Sequence, residues 1–323
     1  MNKKIGALII IFLVAATAYG TYNYIVTSHK TIVVGYLQSD HDSALFVANA
    51  KNMFEKEGLV VSLVPFRSGP DLINAAKLGK IDIGYCGIAP VTLAINNGTA
   101  IKIVASVNQE GSGIVVGNST NITNISDLKG KTIAIPKVNS VQDVLLTYWL
   151  FQYNISRNEV NITESEVPFM PRSLLFKKFD GYIAWEPYVS VASVEGDGEI
   201  LTYSKKDNWK DFPCCVVIAT DSFIKDQPVA LRKFLKVHAE ATNYVNSHKD
   251  ETALIVSQKL GTSVQIEKQS LKNVAFNIPS SNEFKRSVFK FIDIQKQLGY
   301  IKNNVSNVSY FNFNFWPTKS SGF

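Results

Sequence analysis

Residues 60–107 read VVSLVPFRSGPDLINAAKLGKIDIGYCGIAPVTLAINNGTAIKIVASV. The β-rich run 60–66 gives way to Ser68-Gly69-Pro70-Asp71, the pattern of a helix start: a capping hydroxyl, then proline and an acid in the first turn. That helix stops at Gly79. Residues 81–85 read as a strand, 89–98 as a helix and 101–107 as a strand. Upstream, TIVVGYL (31–37) is a strand, and 43–59 has helical apolar spacing with a stop at Gly58. The alternation βαβαβαβ predicts an α/β fold with a parallel sheet and helices on both faces.

Within this run, GKIDIGYCGIAP (79–90) places two glycines and an aromatic at a strand-to-helix corner. Gly84 and Gly87 have two readings. They supply the backbone conformation of a tight turn, or they let main-chain N–H groups and the Tyr85 ring approach a ligand at a helix N-terminus.

The 323 residues, 46% hydrophobic and 19% charged, suit a folded chain of two lobes. A net charge of +6 is spread without a basic run, which argues against nucleic acid. Lys3 and Lys4 precede an uncharged apolar stretch, the pattern of an export signal. Residues 1–29 are therefore expected to be a signal peptide, cut near Ala16-Thr17-Ala18, or an uncleaved anchor whose residues 5–26 span a membrane as one helix. Lys3 and Lys4 would then lie inside and residues 30–323 outside. Eight Asn-x-Ser/Thr sequons begin at Asn97, Asn118, Asn121, Asn124, Asn154, Asn161, Asn304 and Asn307. Chance would give roughly four, so an exported glycoprotein is expected. The three cysteines, Cys86, Cys214 and Cys215, are not a disulfide framework. They read as small buried strand residues first and pocket-lining residues second. With His29, His41, His238 and His248 they show no four-ligand zinc spacing, and no metal is expected.

A second lobe begins near GSGIVVG (111–117). KTIAIP (131–136), a helix over 139–154 capped by Asn139 or Ser140, DGYIAW (180–185), and CCVVIAT (214–220) continue the pattern. Helices follow at 221–248 (split at Gln227-Pro228), 249–260, 263–273 and 282–298. GSGIVVG has the wrong glycine spacing for a dinucleotide fingerprint and precedes its strand, and LKGKT (128–132) is preceded by Ile125 where a phosphate loop needs glycine. Neither HExxH nor GxSxG occurs. Asp40-His41-Asp42 reads as a solvated polar loop in preference to an acid–base group. Four strand ends carry small or polar residues: Gly35 to Ser39 (with Gln38), Arg67 to Gly69, Gly84 to Gly87, and Lys137 to Ser140. Such corners line the ligand crevice of open α/β sheets.

These segments, above all 68–106, KGKTIAIPKVNSVQDVLL (129–146), DGYIAWEPY (180–188) and DFPCCVVIATDSFIKDQPVALRKFLKVHAEATNYV (211–245), resemble the substrate-binding proteins of ABC importers in the nitrate/sulfonate/taurine and thiamine-pyrimidine-precursor family. The likeness runs from about residue 31 to 298. It implies a periplasmic-binding-protein type II fold with a cleft between lobe 1 (30–110 plus 214–323) and lobe 2 (111–213), preceded by the N-terminal apolar helix. It implies ligand contacts at Gln38, Ser68 and Gly69, at Tyr85 and Gly87, at Asn139, Ser140 and Gln142, and at Trp185 and Glu186. MPRSLLFKKFDGY (170–182) is shorter than the family pattern, so Met170 and Arg172 are not carried over. The implied function is capture of a small anion or pyrimidine outside the cytoplasmic membrane and delivery to permease and ATPase subunits, by a monomer without cofactor, catalytic residue or nucleic-acid partner. The alternatives are a thiamine-pyrimidine synthase-like enzyme with a pyridoxal cofactor, for which no Lys–His pair is well placed, or a ligand sensor that has lost transport.

Overall fold

The computed structural model describes residues 31–206, 209, 212–276, 282–302 and 309–317. The expected signal or anchor over 1–29 and the sequons at Asn304 and Asn307 lie outside the described residues. No helix among the described residues is long and apolar enough to cross a membrane. The asparagines of the other six sequons are all exposed.

In chain order the strands are β1 Ile32–Leu37, β2 Val61–Phe66, β3 Ile83–Gly87, β4 Ile101–Glu110, β5 Ser112–Gly117, β6 Thr132–Ile135, β7 Asn161–Glu164, β8 Gly181–Trp185, β9 Gly198–Tyr203, β10 Pro213–Thr220 and β11 Val274–Phe276. The α-helices are α1 Ser43–Ala50, α2 Met53–Lys56, α3 Gly69–Lys77, α4 Ile88–Asn96, α5 Val141–Gln152, α6 Met170–Leu175, α7 Tyr188–Glu195, α8 Asp221–Asp226, α9 Pro228–Ser247, α10 Lys249–Leu260, α11 Val264–Ser270 and α12 Asn282–Gln297. They surround two sheets, one ordered β11-β4-β10-β3-β1-β2 and the other β7-β6-β8-β5-β9.

The first sheet departs from the expected parallel arrangement. β1 pairs in parallel with β2 and β3, but β10 inserts antiparallel between β3 and β4. All eight residues of β10 are buried, as a central strand covered on both faces requires. The run 43–59 is also divided. Asn52 takes a left-handed conformation (φ 54°) between α1 and α2, so the chain turns before the stop at Gly58. β9 and β11 were not expected. β11 is three residues long and pairs only with the edge of β4, too short for a periodic signal.

The chain leaves the first sheet through Glu110 and Gly111, both at positive φ (68° and 81°), a reversal that sends β5 into the second sheet. It returns between β9 and β10. Around this crossing, Glu186 N donates to Gly111 O (2.9 Å) and Asp40 N donates to Glu186 O (3.1 Å). The end of β1, the crossing and the end of β8 are thereby tied together.

Candidate functional site

The carboxyl ends of the strands of both sheets face one another across a cavity. Leu37, Ser39, His41, Asp42, Gly69, Gly87, Pro90, Ser140, Val141, Gln142, Trp185, Cys214 and Cys215 line it. Three helix starts meet there. Gly69 is the first residue of α3, Gly87 is the N-cap of α4, and Ser140 caps α5 ahead of Val141 and Gln142. Each helix start carries backbone N–H groups without partners inside the helix and the positive end of the helix dipole.

Local sequence sets these positions. Ser140 accepts a hydrogen bond from Asp143 N (3.2 Å), which starts α5 at the cleft wall, and Gln142 Nε2 donates to Ser112 Oγ (2.9 Å). Gly87 has φ −59° and ψ 142°, open to any residue, so its conformation does not require glycine. Its surroundings do: a Cβ there would stand 2.8 Å from Val141 Cγ2, on the opposite sheet's helix. Gly84 is held by packing as well, since a Cβ would meet Leu72 at 2.7 Å. Turn geometry requires glycine at neither position; side-chain packing does, against Leu72 and Ile218 at Gly84 and against Val141 at Gly87.

Trp185 spans two spaces. It lines the inner cavity and, with Gln38, Pro65, Phe66, Arg67, Glu166 and Pro168, an outer recess of about 240 Å³. Its Nε1 donates to Gln38 O (3.0 Å). The inner cavity is much tighter, about 20 Å³, room for roughly one water-sized centre. Two ion pairs join the sheets at the rim: Arg67 to Glu166 (2.9 Å) and Lys137 to Asp71 (2.7 Å).

The expected site residues divide accordingly. Gly69, Gly87, Ser140, Gln142 and Trp185 come together around the inner cavity, and Gln38 is exposed at the outer recess. Ser68 is the buried N-cap of α3, with its Oγ donating to Asp71 Oδ2 (2.6 Å), and does not line the cavity. Asn139 (φ 70°) turns the chain into α5, its N–H on Asp143 Oδ2 (2.8 Å). Tyr85 does not line the cavity: its hydroxyl meets His238 Nδ1 (2.9 Å), on α9, in the core. Tyr85 and Gly87 lie two apart on the same face of β3; Gly87 reaches the cleft because it ends the strand, whereas Tyr85, two residues further back, is covered by α9. Glu186 is fully buried and accepts from Ser190 N and Oγ, Tyr203 OH and Asn273 Nδ2 (2.7–3.1 Å). Asn273 arrives from the segment leading into β11, so Glu186 braces the crossing between sheets and does not line the cavity.

The sequence reading placed Asp40-His41-Asp42 in a solvated loop; the three residues are buried. Ser39 Oγ accepts from His41 N (3.1 Å) and Asp42 Oδ2 accepts from Leu37 N (2.9 Å), folding the segment inward. Burial pushes the Asp42 carboxyl up to about 8. Burial alone would lower His41; the adjacent Cys214 sulfur and Asp42 outweigh it and raise it. Cys214, accepting from the Cys215 thiol and facing His41, is held well below the ordinary thiol range, and Cys215 is pushed up by that neighbour and by burial. Sequence reasoning did not place His41 and Asp42 in the site, and it gave Cys214 and Cys215 a pocket-lining role only as a second reading. Cys214 and His41 stand 173 positions apart, and only the insertion of β10 beside β3 brings them together.

Two α/β units meeting over a cleft at their strand ends define a binding-protein architecture. Residues 27–260 match the NMT1-like family, and the chain belongs to it. A Bacillus subtilis protein named for binding aliphatic sulfonates is 29% identical over 261 residues, covering 79% of this chain and 76% of its own. The alkanesulfonate-binding protein SsuA from Xanthomonas axonopodis pv. citri, bound to MOPS, superposes with a TM-score of 0.76 at 17% identity, over 86% of this chain and 96% of that one. The ligand-binding component of an ABC-type import system from Staphylococcus aureus, with zinc bound, gives 0.77 at 19% identity, over 89% and 98%.

Proposed function

We propose that this protein is the extracytoplasmic solute-binding component of an ABC importer, and that it captures a small anion of the sulfonate, taurine or nitrate type. The observation that carries this is the convergence of the α3, α4 and α5 starts on one cavity between the sheets. Helix N-termini favour anions without placing a lysine or arginine in the cavity. The sulfonate-binding relative supports the ligand class.

In this reading, residues 30–110 with 214–323 form one lobe and 111–213 the other. Solute touches Gly69 and Gly87 on the first lobe and Ser140, Gln142 and Trp185 on the second only when the lobes meet, so binding shifts the population toward the closed form. The Arg67–Glu166 and Lys137–Asp71 pairs join the lobes at the rim in that form. Residues 1–29 serve as export signal or anchor, sugars on the exposed sequons face outward, and permease and ATPase subunits receive the solute. The buried His41–Cys214 pair is what favours an enzyme on the same scaffold instead.

A thermal-shift series on the full chain, held in mild detergent, tests the proposal against taurine, short alkanesulfonates, nitrate, bicarbonate and pyrimidines. A ligand at one hundred times its Kd adds about 2.7 kcal/mol to the native state, a rise of a few degrees for a chain of this size. A selective rise with one anion, recovered chemically unchanged, supports a binding protein. Conversion of any panel member would support the enzyme.

A further inference from the structure

Cys214 and Cys215 are adjacent, and a regular strand would send them to opposite faces. The pairing of β10 with β4 is irregular between Pro213 and Val216, and a bulge there re-aims side chains. Both sulfurs consequently reach the same imidazole nitrogen: Cys214 Sγ is 3.6 Å and Cys215 Sγ 3.4 Å from His41 Nδ1, and the sulfurs are 3.8 Å apart. A disulfide would need the sulfurs at about 2.05 Å. Bonds of about 2.3 Å to sulfur and about 2.0–2.1 Å to nitrogen at tetrahedral angles give edges of roughly 3.8 Å between sulfurs and roughly 3.6 Å between sulfur and nitrogen. The three distances match one face of that tetrahedron to about 0.2 Å, the tolerance expected of a real site.

The far side of the imidazole is already arranged. Nε2 lies 3.1 Å from Gly111 O. A carbonyl only accepts, so Nε2 carries a proton, and Nδ1 is the nitrogen left to bind a metal beside the sulfurs. A backbone carbonyl behind a ligating histidine is the usual outer support. Gly111 belongs to the crossing between sheets, and a Cβ there would collide with the His41 ring.

From this geometry we propose that His41 Nδ1 and the thiolates of Cys214 and Cys215 bind a zinc ion whose fourth coordination position opens into the cleft. Two sulfurs and one imidazole at tetrahedral spacing select zinc over magnesium or calcium, which take oxygen donors. The fourth position faces the adjoining space of about 20 Å³, which suits one water or one donor atom of a solute. Binding releases two protons to solvent from the His41–Cys214–Cys215 group, and no electron is transferred. The ion stands independently of the solute assigned above; with two thiolates it leaves the net charge of the cavity unchanged and adds one open coordination position where the three helix starts converge.

The test uses the full chain in mild detergent, reduced, stripped with EDTA and titrated with zinc alone, then with cobalt as a spectroscopic substitute. The expected result is one ion per chain. Cobalt should give thiolate charge-transfer bands and tetrahedral d–d bands, and X-ray absorption of the zinc form should show two sulfurs at about 2.3 Å. The C214S/C215S variant should lose more than about 100-fold in zinc affinity, beyond the 10–100-fold that an outer-shell loss costs, and C86S should bind as wild type. Absence of zinc binding by the folded, reduced wild type overturns the proposal. So does a zinc first shell without sulfur, which the wild type reports whether or not the variant folds. Solute binding is measured separately on stripped and zinc-loaded protein, so failure of the metal site and failure of the transport reading remain distinct.

Discussion

Replacing Gly87 with alanine inserts one methyl group into the seam between the sheets. Backbone strain is not involved, because φ −59° and ψ 142° suit alanine as well as glycine. The added Cβ would stand 2.8 Å from Val141 Cγ2, closer than real Cβ contacts come, while its next neighbours, Pro90 Cδ and Cys214 O, are 3.8 and 3.9 Å away. The collision is therefore almost wholly with one side chain of the opposite unit. Overpacking of this kind costs about 1–3 kcal/mol. Opening of the cleft relieves it, so the cost falls on the closed form and not on the fold. G87A should bind solute about 5- to 150-fold more weakly, with a nearly unchanged unfolding midpoint in the absence of solute. V141A deletes the methyl groups that cause the clash, so G87A/V141A should recover most of the affinity in a double-mutant cycle. Calorimetric titration with a binding panel member, alongside small-angle scattering for compaction, reads all three variants. Wild-type affinity in G87A would refute the argument, as would a loss that V141A leaves untouched.

Tyr85→Phe removes the partner of His238 and should cost about 1–3 kcal/mol of stability with unchanged solute affinity; chemical denaturation and calorimetry separate the two, and a binding defect would return the ring to the cleft. Burial holds His238 down to about 4, against 6.5 for an ordinary histidine. The unfolded chain thus binds a proton that the native state refuses, so this group's stabilisation is complete above pH 6.5 and falls by about 3 kcal/mol as pH drops to about 4. Denaturation of wild type and H238Q across that window should show this slope only in wild type; equal slopes would contradict it. Arg67→Ala breaks an exposed rim pair and should alter unfolding by less than about 1 kcal/mol while speeding solute release in stopped-flow; slower release would count against a rim role.

The helix starts were the most legible part of the site. Ser68-Gly69-Pro70 and Asn139-Ser140 carry capping chemistry in sequence, and Gly69 and Ser140 both reach the cavity. Side-chain surroundings along a strand were less legible: Tyr85 and Gly87 share a face of β3, and only the place where the strand ends and α9 covers it decides that Gly87 reaches the cleft while the Tyr85 ring enters the core. The floor of the site was hidden. Nothing local to CCVVIAT marks it as the strand between β3 and β4, and nothing in a strand pattern announces the bulge that turns both thiols the same way. His41 was hidden by composition, since two flanking aspartates suggest solvent when they are in fact buried and hydrogen-bonded inward. The alternation and the glycine stops anticipated the parallel β1, β2 and β3, while chain length and the family resemblance implied the two lobes; β9, β11 and the antiparallel places of β5 and β10 were not expected.

The most direct test is a calorimetric titration of the full chain, stripped and zinc-loaded, with taurine, alkanesulfonates and nitrate. The account predicts saturable binding of one anion per chain, with a negative heat-capacity change as the cleft closes over apolar surface and no heat after saturation. Folded protein that binds none of these anions in either form, or heat that continues after saturation as solute is consumed, would contradict it.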